Sequence, residues 1–299
     1  MEEEKLCLLS CEVRSRVVIQ LSLNVKRENK MTKEQIIQII KEKVDGVWVA
    51  CHDEKGHHYK HTPTGVVVDS VTTKIGTVVN KPHLNSWAVK MGLEWLLLGD
   101  RLEKLKDIKT KDEMVQGAIL AHTDYRDSMG STGSIAHEAI EDWLNAEMKG
   151  DITEYSKGTN DYMAIAAMRS AQKLFIDKNI TPIWSELLVG NVKYSAGTLD
   201  LLCLWGNDLC LVDWKSSNNV SQEYILQVVA YKKFFEEMTG LKIKKVKILH
   251  LSKSYDKYDI YDVTRFSEAY KAFKHCCGLY DWKVDYRNKL VKDVKRIKL

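Results

Sequence analysis

Two apolar runs, Gly197-Thr-Leu-Asp-Leu-Leu-Cys-Leu-Trp205 and Leu209-Cys-Leu-Val-Asp-Trp-Lys215, read as buried strands that nevertheless carry charge. Gly206-Asn207 between them has the composition of a two-residue hairpin turn. That turn pairs Trp205 with Asp208 and, counting back, sets Asp200 opposite Asp213. Side chains alternate with a period of two, so Lys215 shares the face, and directly opposed Cβ atoms lie roughly 5 Å apart. Two carboxylates that close, rooted in apolar strands, either share a proton or bind a cation. A divalent metal ion satisfies both at once, whereas a plain structural ion group of three charges is costly.

A chain of 299 residues is long enough for a full core, as one large domain or one domain with an accessory part. Hydrophobic content of 44% against 29% charge, with three prolines, excludes a disordered or collagen-like chain. A net charge of +4 permits a polyanionic partner without demanding one. Seven cysteines, an odd number without C-x-x-C spacing, argue against a disulfide framework and for packing in a reducing compartment. No apolar run approaches the ~18 residues of a membrane span. The opening Met1-Glu-Glu-Glu4 has the wrong charge for a targeting peptide, so the expectation is a cytoplasmic protein with no membrane partner, in a bacterium or a virus-infected cell.

Residues 1–30 are uninformative. Residues 31–128 read as an accessory region: a helix from Lys33 to about Val44, a hairpin around Asp53-Glu-Lys-Gly56, a cap at Ser70, a helix Leu84 to Trp95 and a charged helical stretch over 101–127. Met129-Gly-Ser-Thr-Gly133 predicts a break before a helix over Ser134 to Met148, whose stripe of Ala136, Ile140, Trp143 and Leu144 leaves His137 beside it, facing inward. Further helices are predicted over Asp161 to Asp177, Val220 to Met238 and Phe266 to Trp282, with strands over Ile183 to Val189, Lys193 to Trp205, Leu209 to Lys215, Lys245 to Leu251 and Tyr258 to Val263. The core domain is therefore set at 129–282, and 283–299 is a basic tail. Taken singly, an inward histidine is a core residue or a ligand, Glu186 is an edge residue or a site residue, and His57-His58 is a surface pair.

The ordered runs Gly133-Ser-Ile-Ala-His137, Glu186, Gly197-Thr-Leu-Asp200, Asp213-Trp-Lys215-Ser-Ser217 and Gln227-Val-Val-Ala-Tyr231 resemble the PD-(D/E)xK nucleases of the RecB and Cas4 type. With Ser70-Val-Thr-Thr-Lys-Ile75 upstream, the wording is most similar to the mitochondrial genome maintenance exonucleases and their viral and bacterial relatives. The resemblance implies an α/β fold with a restriction-endonuclease-like core, a central mixed sheet flanked by helices, and a mostly helical N-terminal accessory region. It implies His137, Asp200, Asp213 and the backbone carbonyl of Trp214 as metal ligands, and Lys215 as the group that orients or deprotonates water. Glu186 would position water or a second metal, and Gln227, Tyr231, Ser216, Ser217, Ser70 and Gly133 would contact substrate or organise the site.

Phosphodiester hydrolysis needs a hydroxide at neutral pH and neutralisation of a pentacovalent phosphate, which Mg²⁺ or Mn²⁺ on such ligands supplies, the imidazole favouring Mn²⁺. The implied activity is exonucleolytic cleavage of DNA, single-stranded or at free ends, in replication, repair or recombination. A structure-specific or Cas4-like endonuclease, or a DNA-binding protein with a vestigial site, are the alternatives. The iron-sulfur members place one cysteine before the core and three closely spaced after it; Cys276-Cys277 with Cys7 or Cys11 does not supply that set, so no cluster is expected. Trp87, Lys90 and Trp95 are either core or a stacking surface for bases.

Overall fold

A five-stranded mixed sheet carries the two charged strands at its centre. A computed structural model describes residues 31–54, 56–150, 161–215, 220–251 and 257–293. The expectations for residues 1–30, for Ser216 and Ser217, and for the last six residues of the tail lie outside that set. In chain order the elements are α1 (Lys33–Lys43), β1 (Trp48–Asp53), β2 (Gly56–His61), β3 (Val67–Asp69), α2 (Val71–Val78), α3 (His83–Leu97), α4 (Arg101–Lys104), α5 (Ile108–Lys149), α6 (Tyr162–Lys178), β4 (Ile180–Asn191), β5 (Ser195–Trp205), β6 (Asp208–Lys215), α7 (Gln222–Thr239), β7 (Lys245–Leu251), β8 (Tyr258–Asp262) and α8 (Phe266–Asp293).

Local chemistry accounts for most boundaries. Thr32 and Gln35 form a reciprocal capping box at α1. The Ser70 hydroxyl accepts from the Thr73 amide at α2, and Asp161 accepts from the Met163 and Ala164 amides at α6. Gly240, at φ 82°, ends α7 in the left-handed conformation that a side chain disfavours. Gly206, at φ 66°, occupies the first central position of the β5–β6 turn, where a type II′ hairpin needs a positive φ.

The main sheet runs in the order β4-β5-β6-β7-β8. The β4–β5, β5–β6 and β7–β8 pairs are antiparallel and β6–β7 is parallel, the crossover between the last two being α7. Its two faces are covered differently. One core gathers Ile36 and Ile40 of α1, Val71 and Ile75 of α2, Val228, Phe234 and Phe235 of α7 and Phe273 of α8 against Leu199, Leu202 and Leu211. The other sets Ile140, Trp143 and Leu144 of α5 and Ala167, Leu174 and Phe175 of α6 against Leu201, Cys203, Val212 and Trp214. The chain is thus α/β, with helices on both faces of a mixed sheet. A second, three-stranded sheet, β1-β2-β3, packs Trp48 and Tyr59 on Ala196 of β5.

Three sequence expectations change. The break at residues 129–133 is absent: α5 runs unbroken for 42 residues. Glycine in a helix costs about 1 kcal/mol against alanine. Here both ends of the helix are anchored, the Trp95 ring of α3 occupying the space a Cβ on Gly117 would need and Trp143 packing edge-on to Phe175 at 4.9 Å. The boundary between residues 128 and 129 therefore falls inside one helix, and the front of the chain is not separate, because α1 and α2 complete the main core. Finally, α8 continues past Trp282 to Asp293, through the first part of the expected tail.

Candidate metal centre

The hairpin register is the one read from Gly206-Asn207: Trp205 pairs with Asp208, Cys203 with Cys210 and Leu201 with Val212. The ladder ends at that last pair; Asp200 and Asp213, the next residue on each strand, are 8% and 0% exposed. Cys203 and Cys210 are buried free thiols on the face covered by α5 and α6, where burial first and then Cys210 push the Cys203 thiol well up.

Strands β4 and β5 both depart from regularity at this level. Ser185 pairs with Leu201 and Leu187 with Leu199, while Glu186, at φ 50°, lies between those pairs in the left-handed region. Leu199 and Leu202 both join the same core although they are three residues apart, which unbroken alternation forbids. A non-glycine residue in that backbone region is costly and marks a place where the surroundings override local preference. The departure brings Glu186 together with Asp200 and with His137 of α5, so that one ligand atom from each lies within 4.8 Å of the others. His137 Nδ1 is 3.9 Å from Asp200 Oδ2, and that oxygen also accepts the Trp214 backbone N–H at 2.8 Å.

Asp213 belongs to a second, adjoining group. Its Oδ2 lies 2.7 Å from Lys215 Nζ but out of hydrogen-bonding alignment, and its Oδ1 accepts from Gln227 Nε2 at 3.4 Å. Gln227 also donates to the Tyr231 hydroxyl at 3.3 Å, and the Tyr231 ring sits where a Cβ on Gly197 would be, 2.6 Å away. Glycine at position 197 is thereby explained by close approach. Lys215 Nζ lies over the Tyr224 ring, 4.9 Å from its centroid.

Among the residues named from sequence, then, His137, Asp200 and Glu186 converge, with Glu186 where Asp213 was expected. Asp213, Lys215, Gln227 and Tyr231 form the supporting group beside them. Trp214 is tied to the site by its N–H, its side chain lying in the α5–α6 core. Gly133 lines a cavity of about 470 Å³ with Ser134, His137, Glu141 and Glu186. The Ser70 hydroxyl is spent locally, on the Thr73 amide at 2.9 Å and on the hydroxyls of Thr72 and Thr73. Trp87 and Trp95 are half-buried against α5, the first beside His122 and Tyr125, the second stacked on Arg101 at 4.0 Å, and Lys90 faces Glu94 at 3.5 Å. Of the histidine pair expected at the surface, His57 is exposed but His58 is half-buried, 3.7 Å from Asp53.

Glu141 was not singled out from sequence, although its spacing of four from His137 puts both on one helix face. Tyr59, which shares a hydrogen bond of 3.4 Å with the Thr198 hydroxyl, left no signal at all, because its neighbour is 139 residues away.

The electrostatics fit a cation. Burial, then Asp200, Glu141 and Asp213, push Glu186 up to about 8. Burial, then Asp200, push Asp213 up to about 7 against the pull of Lys215. For Lys215 itself burial pulls down, but Asp213 and Asp200 outweigh it and the ammonium is held up. Three carboxylates around one ammonium cannot all stay ionised in a buried site without more positive charge. One imidazole and two carboxylates are suitable donors for a divalent ion with Mn²⁺-like tolerance for nitrogen, and oxygen-rich enough for Mg²⁺.

No known protein family and no curated protein matches this sequence. Among the described residues, no helix is long and apolar enough to cross a membrane.

Proposed function

We propose that this protein is a divalent-metal-dependent DNA nuclease with a restriction-endonuclease-like core of the PD-(D/E)xK type, acting exonucleolytically on single strands or free ends. One observation carries the reading: His137, Glu186 and Asp200, from a helix and two strands, meet within 4.8 Å beside the buried Asp213–Lys215 ion pair. That juxtaposition is what metal-assisted phosphodiester hydrolysis needs, a cation site with a positioned ammonium next to it.

His137, Glu186 and Asp200 would hold Mg²⁺ or Mn²⁺, which when bound supplies an activated water and neutralises charge on the phosphate. The Trp214 N–H aims the Asp200 carboxylate. Asp213 and the Tyr224 ring hold the Lys215 ammonium, whose N–H donors would orient the attacking water and stabilise the equatorial phosphate oxygens. Gln227 holds Asp213 and is itself held by the Tyr231 hydroxyl. Exclusion of bulk water by the two cores strengthens each of these interactions.

The test is incubation of end-labelled single- and double-stranded DNA with Mg²⁺ or Mn²⁺, with Asp213→Asn as control. Metal-dependent cleavage that the substitution abolishes, in a protein of unchanged circular dichroism, supports the reading. Absence of cleavage of any DNA or RNA substrate with either metal overturns it. A circular single strand decides the mode of action: it survives an end-dependent enzyme and is cut by an endonuclease.

A further inference from the structure

The small sheet carries two exposed, cross-strand paired histidines at the end of one hairpin face. One face of the β1–β2 hairpin carries three cross-strand pairs: Trp48 with His61, Ala50 with Tyr59, and His52 with His57. The first two levels are seated on β4 and β5. The Trp48 ring lies where a Cβ on Gly190 would be and packs on Ala196, while Tyr59 reaches Thr198 and packs with Leu188. Each step of two along the hairpin is matched by a step of two along the larger sheet, from Gly190 to Leu188 and from Ala196 to Thr198. One more step of two residues, roughly 7 Å, leads to Glu186 and Asp200 on the larger sheet and to His52 and His57 on the hairpin. There the packing stops, because both imidazoles are exposed. Their rings stay together, with centroids 6.2 Å apart and an interplanar angle of 22°, and His57 leans on Tyr59 at 4.8 Å. Glu186 in turn helps to raise Tyr59, although burial is the larger cause, which fits a hairpin face directed at the carboxylates.

We propose that His52 and His57 form a phosphate-binding pair that faces the metal centre across an open groove and holds the sugar-phosphate backbone of the DNA strand next to the scissile bond. The assignment rests on the nuclease reading above and adds a second wall to that site. Each neutral imidazole offers one N–H donor and, when protonated, two, and aromatic support from Tyr59 orients His57 without burying it. The opposite hairpin face, with Cys51, His58 and Lys60, points away from the larger sheet and serves as an internal control.

The experiment compares the full-length protein with the double variant His52→Ala/His57→Ala and the control His58→Gln. Two readouts use one fluorescein-labelled single-stranded 20-mer: anisotropy in Ca²⁺ for binding, and cleavage in Mn²⁺ for KM and kcat. The double alanine variant is expected to raise Kd and KM about tenfold, with kcat within twofold. His52→Asn/His57→Gln, which keeps N–H donors, is expected to recover part of the loss, and the control is expected to behave as the unmodified protein. Unchanged Kd and KM in a folded double variant overturn the histidine pair while leaving the nuclease reading intact. A fall in kcat without a change in KM also overturns it, since that places the histidines in the chemistry. An unmodified protein that neither binds nor cuts the strand sinks both.

Discussion

The five-stranded sheet and the helical arm of α3 and α5 invert one another's solvation. In the sheet, charge is inside: Asp213 has no exposed surface and the Lys215 side chain is 14% exposed, beside a core rich in leucine. On the arm, apolar groups are outside: Val89, Leu93 and Leu97 of α3 stand 64%, 57% and 66% exposed, and Ile119 and Leu120 of α5 are half uncovered. Buried charge without a cation is costly, whereas scattered exposed leucines cost the fold little. The difference teaches where stability and chemistry have been traded: the sheet tolerates an expensive polar group for what it can bind, and the arm keeps a cheap apolar surface.

The comparison breaks most sharply at Lys215. Lys215→Ala is expected to lower cleavage at least about 10³-fold while leaving the circular dichroism spectrum unchanged; a variant that retains tenfold-reduced activity would relegate Lys215 to structure. Next, Gly197→Ala drives a methyl group into the Tyr231 ring, and overpacking of this kind costs about 1–3 kcal/mol. Urea denaturation should show that loss, and a neutral result would mean the Tyr231 ring moves freely.

The metal-free protein should also lose stability as pH rises. A carboxyl that holds its proton more tightly when folded favours the folded chain below its unfolded pKa, and that contribution disappears as pH passes its folded value. For Asp213 and Glu186 those folded values are about 7 and about 8, so Tm should drift down, on the order of a few degrees, between about pH 4.5 and pH 8. Saturating Mn²⁺ should flatten the drift, because bound cation replaces the protons. A metal-free Tm that rises across that window would refute the charge accounting. The smallest effect belongs to the arm: Leu93→Ser and Leu97→Ser should each change stability by less than about 0.5 kcal/mol, and a larger loss would show that the arm's apolar face is covered.

Much of the sheet could be read directly because strand pairing is local here. The turn glycine suffices to set the β5–β6 register as far as Leu201 against Val212, and the runs of apolar residues mark β4 to β7 to within three residues at their starts and two at their ends. The helix cap at Ser70 was equally legible, since a capping side chain bonds within its own turn, whereas Thr32 and Asp161 cap helices that were read only by their extent. The continuity of α5 was not, because glycines at 130 and 133 signal a break unless contacts with other helices, Trp95 on Gly117 and Trp143 on Phe175, hold both flanks.

What the amino-acid order alone determined is which charged groups lie in which strands and how the β5–β6 hairpin is registered, a matter of local backbone geometry. Which of them meet was decided only by tertiary structure. Glu186 joins His137 and Asp200 through a left-handed residue and a helix 49 positions away, leaving Asp213 to Lys215. No local rule contains that outcome, because side chains separated by tens of residues come within 5 Å only where packed elements, not neighbouring bonds, set their distance.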